Sequence, residues 1–196
     1  MKNIKLWIND RLKWIYVKYF VGYENPHKYW DTNYKLSFTE RWTKEETEHW
    51  FNEISLTMQK YDCENVLEIG CGDEPHLKDL KGYVGSDFSL TALKKSKLQE
   101  FILCDVTKHI PVPDKSFDAL LSMAVLLHVP TKDIDFAIKE ISRVTKKLVM
   151  LSEPSQIQNE NAKITSHCFK HDYISLFKKY FDGNVIFLNQ EDQRAR

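Results

Sequence analysis

The feature that most constrains the fold is an alternation of two sequence patterns that begins near residue 65. Short runs rich in β-forming residues alternate with stretches whose apolar residues have helical spacing. The runs are mostly apolar throughout, as expected of parallel strands that are covered on both faces. In chain order the runs read NVLEIG, YVGSD, FILCDV, FDALLSM, KLVMLSE and NVIFL, and the helix candidates lie at 75–80, 89–97, 131–143 and 170–181. This order predicts an α/β fold, with a doubly wound, mostly parallel sheet of about six strands.

The first 60 residues differ from this pattern and are predicted to form a helical cap. Thr43 and Glu46 have the spacing of a capping box, and Trp50 follows in a stripe with helical spacing. An aromatic segment precedes this helix, with Tyr29, Trp30, Tyr34 and Phe38. These aromatic side chains either cover a ligand as a lid or attach the cap to the sheet. We therefore divide the chain into a cap at 1–60 and a ligand-binding domain at 61–196, which together form a single structural unit.

Residues 1–21 form a basic amphipathic segment. Their apolar side chains have helical spacing, and Trp7 and Trp14 widen the apolar stripe. Five cations stand against Asp10, so the net charge of the segment is five minus one, or +4. Such a helix either packs on the domain and covers its site or lies in a membrane interface. The second alternative predicts peripheral membrane contact through these residues.

Composition limits the partners and the compartment. Lys plus Arg and Asp plus Glu both number 28, so the formal net charge is zero, whereas a nucleic-acid binder normally needs a basic excess. The four cysteines include no CxxC pair, and without a secretion signal they favour reduced thiols. No apolar run reaches the roughly 18 residues that a membrane-spanning helix needs. We expect a soluble cytoplasmic protein with a small-molecule substrate and without a nucleic-acid partner.

Glycines and carboxylates cluster where the predicted strands end. In a doubly wound sheet, ligands bind beyond the carboxyl ends of the strands. The first strand ends in Glu68, and two glycines one residue apart follow, which let the backbone turn tightly and approach a ligand. The second strand ends in Asp87, where a carboxylate can accept both hydroxyls of a ribose. The third ends in Asp105, in position to hold an exocyclic amine. These positions predict a ligand site at one edge of the sheet.

Three segments that contain these residues resemble the class I S-adenosylmethionine-dependent methyltransferases, and within them the small-molecule group called type 11 or type 12. VLEIGCGDEPHL is similar to the first motif of that family, YVGSDFS to the second, and FILCDVTKHIPVPDKSFDALLSMAVLLHV to the third and fourth. The resemblance covers about residues 62–155. It implies a Rossmann-like fold and S-adenosyl-L-methionine as cofactor, with S-adenosyl-L-homocysteine as product. The cofactor-binding residues that it implies are Glu68, Gly70, Cys71, Gly72, Asp87, Phe88, Asp105, Val106 and Met123.

By the same resemblance, these residues meet different parts of the cofactor. Glu68 lies near the amino-acid end, which the two glycines line. Asp87 binds the ribose hydroxyls, and Phe88 stacks against the adenine ring. Asp105 binds the adenine amine beside the backbone of Val106.

Two departures from the family pattern affect these expectations. Glu74 stands where the family often has a third glycine, and Pro75 follows it. A nicotinamide fingerprint would need a glycine at Pro75, so S-adenosylmethionine is favoured over a dinucleotide. The family usually closes its sheet with an antiparallel hairpin, whereas only NVIFLNQ and EDQRAR follow the last predicted helix here. This ending predicts a sheet with an exposed edge that a partner, such as a second copy of the chain, covers.

Four further residues are candidates for catalysis or substrate binding. His128 follows the fourth strand, where a neutral imidazole can take a proton from a substrate hydroxyl or bond the substrate; the alternative is a histidine that only caps the next turn. His167 and His171 are four residues apart. They contact substrate, hold a metal with Glu153, or belong to a loop–helix junction; we choose substrate contact and predict no metal. Tyr34 is the remaining substrate candidate.

The predicted function is therefore methyl transfer from S-adenosylmethionine to a small-molecule acceptor, at an oxygen atom. Enzymes that methylate base amines in DNA commonly carry an Asp/Asn-Pro-Pro-Tyr/Phe turn after the fourth strand, and this chain has the residues SMAV at 122–125. The alternative is a methyltransferase-like chain that serves as a binding or structural partner without catalysis. Glu74 and the short C-terminus motivate that alternative.

Overall fold

Helices and strands alternate along the chain, as the sequence pattern predicts. The computed structural model describes residues 25–36, 43–75, 77–153 and 168–188. The helices are α1 (Pro26–Leu36), α2 (Lys44–Lys60), α3 (Leu90–Ser96), α4 (Ile134–Val144) and α5 (Tyr173–Phe177). The strands are β1 (Val66–Ile69), β2 (Tyr83–Asp87), β3 (Phe101–Leu103), β4 (Phe117–Met123), β5 (Thr145–Ser152) and β6 (Asn184–Phe187). A 3₁₀ turn at Leu126–His128 follows β4.

The strands form one parallel sheet in the order β3-β2-β1-β4-β5-β6. Val66 of β1 pairs with Tyr83 of β2 on one side and with Ala119 of β4 on the other. The strand order reverses between β1 and β4, and the crevice beyond their carboxyl ends is where such sheets bind ligands. The predicted fold class, a doubly wound parallel sheet of about six strands, is confirmed. A partner at the sheet edge stays a prediction.

Apolar side chains cover both faces of the sheet. Leu120 and Val149 face α4 and α5 in one buried cluster, whereas Leu121 and Met150 face α2 in a second. This division arises because successive strand residues point to opposite faces. Helix α2 therefore belongs to the packing of the sheet, while no residue of α1 is a member of either cluster. The domain division at residue 60 stays a prediction.

The capping box predicted for α2 is confirmed. The Glu46 N–H donates to Thr43 Oγ1 at 3.2 Å, and the Thr43 N–H donates to Glu46 Oε2 at 2.7 Å. These two bonds satisfy donors that the first helical turn would otherwise leave unpaired.

Helix α1 has no counterpart among the predicted helices. The Lys28 N–H donates to Asn25 Oδ1 at 3.0 Å, and Pro26 occupies the first helical position, where its missing N–H costs nothing. The composition of the segment between Gly22 and Thr43 suggested a polar aromatic connection. The structure shows that this segment also contains a helix. The helix predicted over 1–21 lies outside the described residues.

The helix predicted at 75–80 was wrong. Residues 77–80 form turns, and Leu77 is fully buried in the cluster that contains α2. Helix α2 covers this face of the sheet, so the short connection from β1 to β2 needs no helix of its own. No helix in the described part of the chain is both long and apolar enough to cross a membrane.

Candidate active site

A cavity of about 900 Å³ lies at the carboxyl edge of the sheet, where the strand order reverses. Helix α1 forms one wall, the strand ends form the second, and the segments beyond β4 form the third. The lining residues are Pro26, His27, Trp30 and Tyr34 from α1; Gly70, Asp87, Phe88, Asp105, Val106, Thr107, Lys108 and Met123 from the strand ends; and Ala124, Val125, His128, Val129, Pro130, Lys132, Asp133 and Phe169 from beyond β4. Its size is that of a site for a small molecule or cofactor.

Most of the predicted cofactor residues lie on this cavity. Those that line it are Gly70, Asp87, Phe88, Asp105, Val106 and Met123. Glu68, Cys71 and Gly72 are not among its lining residues; Glu68 and Cys71 are buried, and Gly72 is half-buried. The structure thus brings the predicted carboxylates of β2 and β3 together on the cavity, while Glu68 does not line it.

Donors from three segments surround Asp87. Its Oδ1 accepts from the Ser89 N–H at 2.7 Å, and its Oδ2 accepts from the Gly72 N–H at 3.2 Å. The Tyr34 hydroxyl donates to the same Oδ2 at 3.4 Å. Burial raises the pKa of Asp87 to about 6, and these hydrogen bonds oppose the rise. At neutral pH the side chain is therefore a buried carboxylate at the cavity wall.

Asp105, which also lines the cavity, faces donors from three residues. The N–H and the hydroxyl of Thr107 donate to Oδ1 at 2.9 and 2.6 Å. Oδ2 lies 3.3 Å from Lys108 Nζ and 2.9 Å from His27 Nε2. Burial alone would raise the pKa of Asp105, but hydrogen bonds from Thr107 and His27 outweigh it and hold the pKa below its usual value. Because the carboxyl is ionised, His27 Nε2 must be the donor of this pair.

Glu68 belongs to a buried cluster behind the cavity. The Tyr83 hydroxyl donates to Glu68 Oε2 at 2.6 Å. Burial raises the pKa of Glu68 to about 7, and the bond from Tyr83 opposes the rise. A Cβ on the facing Gly85 would lie 2.8 Å from Cys71 Sγ and 3.0 Å from Tyr83 Oη, so this glycine makes room for the cluster. Burial also raises the pKa of the Cys71 thiol, which keeps it from being a reactive thiolate.

The backbone turns sharply at Gly70, where β1 meets the cavity. Gly70 has a φ of +64°, and a Cβ there would lie 2.5 Å from Val125 Cγ2. A residue with a side chain would be strained in this conformation and would also displace Val125. The glycine therefore allows β1 and the segment after β4 to meet at the cavity wall.

Glu153 organises the segment that follows β4. Its carboxylate accepts from the Ser122 hydroxyl at 2.6 Å and from the N–H groups of Val125, Leu126 and Leu127 at 2.8, 3.0 and 3.1 Å. Burial raises the pKa of Glu153, and these bonds oppose the rise. A carboxylate has about four acceptor sites, so these donors leave little capacity for the metal that the sequence left open. Nothing in the sequence pattern assigns Glu153 this internal role.

His128 lies on the cavity, as predicted. The Trp30 ring stands edge-on to its imidazole with 5.0 Å between centroids, and Cys168 Sγ lies 3.9 Å from its Nδ1. Phe169 lines the cavity beside this pair. His128 is thus placed to meet a molecule in the cavity.

His171 does not lie beside His128 on the cavity. His171 is 3% exposed, its Nε2 donates to the Val129 carbonyl oxygen at 2.9 Å, and it does not line the cavity. Burial lowers its pKa, consistent with a neutral ring inside the fold. This position fits the alternative in which His171 belongs to a loop–helix junction, and it argues against contact between His171 and substrate. His167 lies outside the described residues.

His27 is a cavity residue without a counterpart among the predicted site residues, and Lys108, Lys132 and Phe169 are others. A signal for His27 exists in the sequence, because it stands three residues before Trp30 and seven before Tyr34. That spacing places all three on one face of a helix. It becomes readable only once residues 26–36 are recognised as helical.

Comparison with known proteins finds a match to a methyltransferase family and several similar proteins. A family model for a methyltransferase domain matches residues 67–151, from β1 to β5. An uncharacterized protein of Methanocaldococcus jannaschii is 32% identical over 153 residues, which cover 70% of this chain and 67% of that protein. Probable tRNA methyltransferase 9B of Mus musculus is 34% identical over 84 residues, which cover 40% of this chain and only 19% of that protein. A methyltransferase structure from Thermotoga maritima has a TM-score of 0.46 at 22% identity, and the match covers 69% of this chain and 75% of that one.

The parallel sheet, the crevice at its reversal point and the carboxylates at the ends of β2 and β3 define a Rossmann-like cofactor-binding protein. The family match extends over these same strands. The chain belongs to the class I S-adenosylmethionine-dependent methyltransferases, and S-adenosylmethionine is its cofactor.

Proposed function

We propose that the protein transfers the methyl group of S-adenosylmethionine to an oxygen atom of a small-molecule acceptor. The observation that supports this most is the division of the cavity into two chemical regions. Asp87 and Asp105 stand at the strand ends, while His128, Trp30 and Phe169 stand on the other walls. The first region suits a nucleoside with a ribose and an amine, and the second suits a compact acceptor.

In this proposal the strand ends hold the nucleoside part of the cofactor. Asp87 accepts hydrogen bonds from the ribose hydroxyls, and Asp105 accepts one from the adenine amine. Phe88 provides the surface for the adenine ring, and Gly70 lets the backbone come close. When bound, the cofactor supplies a methyl group that its sulfonium centre activates. The hydrogen-bond acceptors Asp87 and Asp105 and the cavity volume of about 900 Å³ fit S-adenosylmethionine.

Glu68, Cys71 and Gly72 do not line the cavity and act indirectly in this proposal. Gly72 donates its N–H to Asp87 and so fixes the carboxylate that faces the ribose. Glu68 and Cys71 pack beneath the turn at Gly70 rather than contacting the cofactor. Their contribution is to the shape of the loop.

At the acceptor end we assign the chemistry to His128. Its imidazole takes the proton that an acceptor hydroxyl loses as the oxygen attacks the methyl carbon and the carbon–sulfur bond breaks. Phe169 orients the acceptor and excludes water. Placing the acceptor oxygen in line with the methyl group supplies most of the rate in such a displacement.

An RNA acceptor is the second candidate, because tRNA methyltransferase 9B is similar over 84 residues. The formal net charge of zero disfavours it, since binding to a phosphate backbone depends on an excess of cations. A binding partner without catalysis is the third candidate. A panel of acceptors that includes hydroxylated compounds, amines and tRNA, with S-adenosylhomocysteine formation as readout, distinguishes the three.

The first experiment is calorimetric titration with S-adenosylhomocysteine. Asp87→Asn removes a charged acceptor of two hydroxyls, so we expect a loss of about 2–3 kcal/mol, or about 30- to 150-fold in affinity. Asp79→Asn is the matched control, because Asp79 is exposed and does not line the cavity. The absence of binding to the folded wild type at millimolar ligand would refute the proposed site.

A second variant tests the acceptor end. His128→Asn should lower turnover by about 10²- to 10⁴-fold while the affinity for S-adenosylhomocysteine changes little, because the imidazole acts on the acceptor. Equal losses of turnover and cofactor affinity would instead place His128 in the cofactor site.

A further inference from the structure

We infer that α1 is an internal ligand of the cofactor site, in which His27 and Tyr34 occupy hydrogen-bond acceptors that the adenine amine and the ribose need. Cofactor binding then requires α1 to give up these contacts. The inference rests on the roles proposed above for Asp87, Phe88 and Asp105.

One face of α1 carries all of these contacts. His27, Trp30 and Tyr34 are spaced three and seven residues apart, so they project from the same side of the helix. His27 meets Asp105, and Tyr34 meets Asp87. Trp30, between them, stands against the His128 ring. The face of α1 therefore runs along the whole proposed site, from the adenine end to the acceptor end.

His27 matches what the adenine ring would do. Its Nε2 donates to Asp105 Oδ2 at 2.9 Å, as the exocyclic amine would. Its ring centroid lies 4.5 Å from that of Phe88, with a tilt of 58°. One side chain thus contacts both residues that are proposed to recognise adenine.

The acceptor capacity of Asp105 makes the two ligands competitors. A carboxylate has about four acceptor sites. Thr107 uses two through its N–H and hydroxyl, and Lys108 and His27 use the others. The adenine amine can therefore bond Asp105 only when one donor withdraws. His27 is the donor whose ring also stands on Phe88.

The same count applies at Asp87. Its carboxylate already accepts from the N–H groups of Ser89 and Gly72 and from the Tyr34 hydroxyl. At most about one of its four acceptor sites remains for two ribose hydroxyls. The Tyr34 bond is the longest of the three at 3.4 Å, so the hydroxyl of Tyr34 is the donor that is easiest to replace.

The attachment of α1 to the rest of the protein suits such a displacement. Asp31 Oδ1 accepts from the Ser89 hydroxyl at 3.0 Å, and Lys95 Nζ donates to the Tyr34 carbonyl oxygen. Outside the cavity these described contacts are polar, and α1 belongs to neither buried apolar cluster. Moving α1 therefore exchanges hydrogen bonds and uncovers Asn33 and Tyr34, but it leaves both apolar clusters of the sheet intact. If only a fraction of the molecules has α1 withdrawn, the apparent affinity for cofactor is the intrinsic affinity multiplied by that fraction.

Removing the internal donors should therefore strengthen cofactor binding. We expect His27→Ala to bind S-adenosylhomocysteine about three- to tenfold more tightly than the wild type in calorimetry, and Tyr34→Phe to act in the same direction with the ring retained. Lys28→Ala is the matched control, because Lys28 is on α1 but is exposed and does not line the cavity. Hydrogen exchange gives a second readout: added S-adenosylhomocysteine should accelerate exchange of the amides at 26–36.

The outcomes separate this inference from the proposed function. Wild-type binding with weaker or equal binding by His27→Ala and Tyr34→Phe overturns the inference and leaves the cofactor site standing. Slower exchange at 26–36 with ligand also overturns it, because α1 would then close over the cofactor. Tighter binding by the double variant than by the wild type supports both ideas. If neither protein binds, the proposed site fails and the inference falls with it.

Discussion

Glu68→Gln should make the stability of the protein less dependent on pH. Glu68 is 3% exposed, and burial raises its pKa from 4.5 to about 7. The folded state thus holds this proton more tightly than the unfolded chain does. The contribution of Glu68 to stability is largest below pH 4.5 and falls as pH rises through about 7. A rise of this pKa from 4.5 to about 7 corresponds to roughly 3 kcal/mol.

Glutamine tests this value because it has the shape of the protonated acid. It keeps an acceptor for the Tyr83 hydroxyl, which lies 2.6 Å from Glu68 Oε2. We expect Glu68→Gln to gain about 2–3 kcal/mol over the wild type in unfolding free energy between pH 5 and pH 8.

Urea unfolding at both pH values measures this change. Glu64→Gln, at an exposed position, is the control and should follow the wild type. The raised pKa of Asp87 is present in all three proteins, so comparison with the wild type removes most of its effect. A difference between Glu68→Gln and the wild type that is equal at both pH values, or larger in acid, would refute the reasoning.

Three further substitutions test the packing of the sheet at Leu120, the backbone turn at Gly70, and the segment after β4 that Glu153 holds. Leu120→Ala, at a fully buried position, should lower the unfolding free energy by about 2–5 kcal/mol in urea, whereas Leu56→Ala, at a position 66% exposed, should change it by about 0.5 kcal/mol or less. Gly70→Ala should weaken S-adenosylhomocysteine binding in calorimetry by about tenfold or more, because φ is +64° and Val125 is in the way; unchanged affinity would contradict this. Glu153→Ala should cost several kcal/mol in thermal unfolding because four donors lose their acceptor, and Glu153→Gln should recover part of it; equal stability of the two variants would argue against this role.

Local patterns in the sequence determined most of the fold. The apolar runs identified the strands because a parallel strand must be apolar on both faces. The capping box at Thr43 was readable because its two partners are three residues apart. Asp87 and Asp105 were found because strand ends in such a sheet meet at one edge.

Only the tertiary structure decided what lies around these positions. Residues 77–80 form turns instead of the predicted helix because α2, from elsewhere in the chain, covers that face of the sheet. Glu68 points behind the cavity, and His171 is buried against Val129, because side-chain direction depends on packing partners far away in sequence. The contact of His27 with Asp105 joins residues 78 positions apart. Periodicity reports which residues share a face, but which surface that face meets depends on the packing of the whole chain.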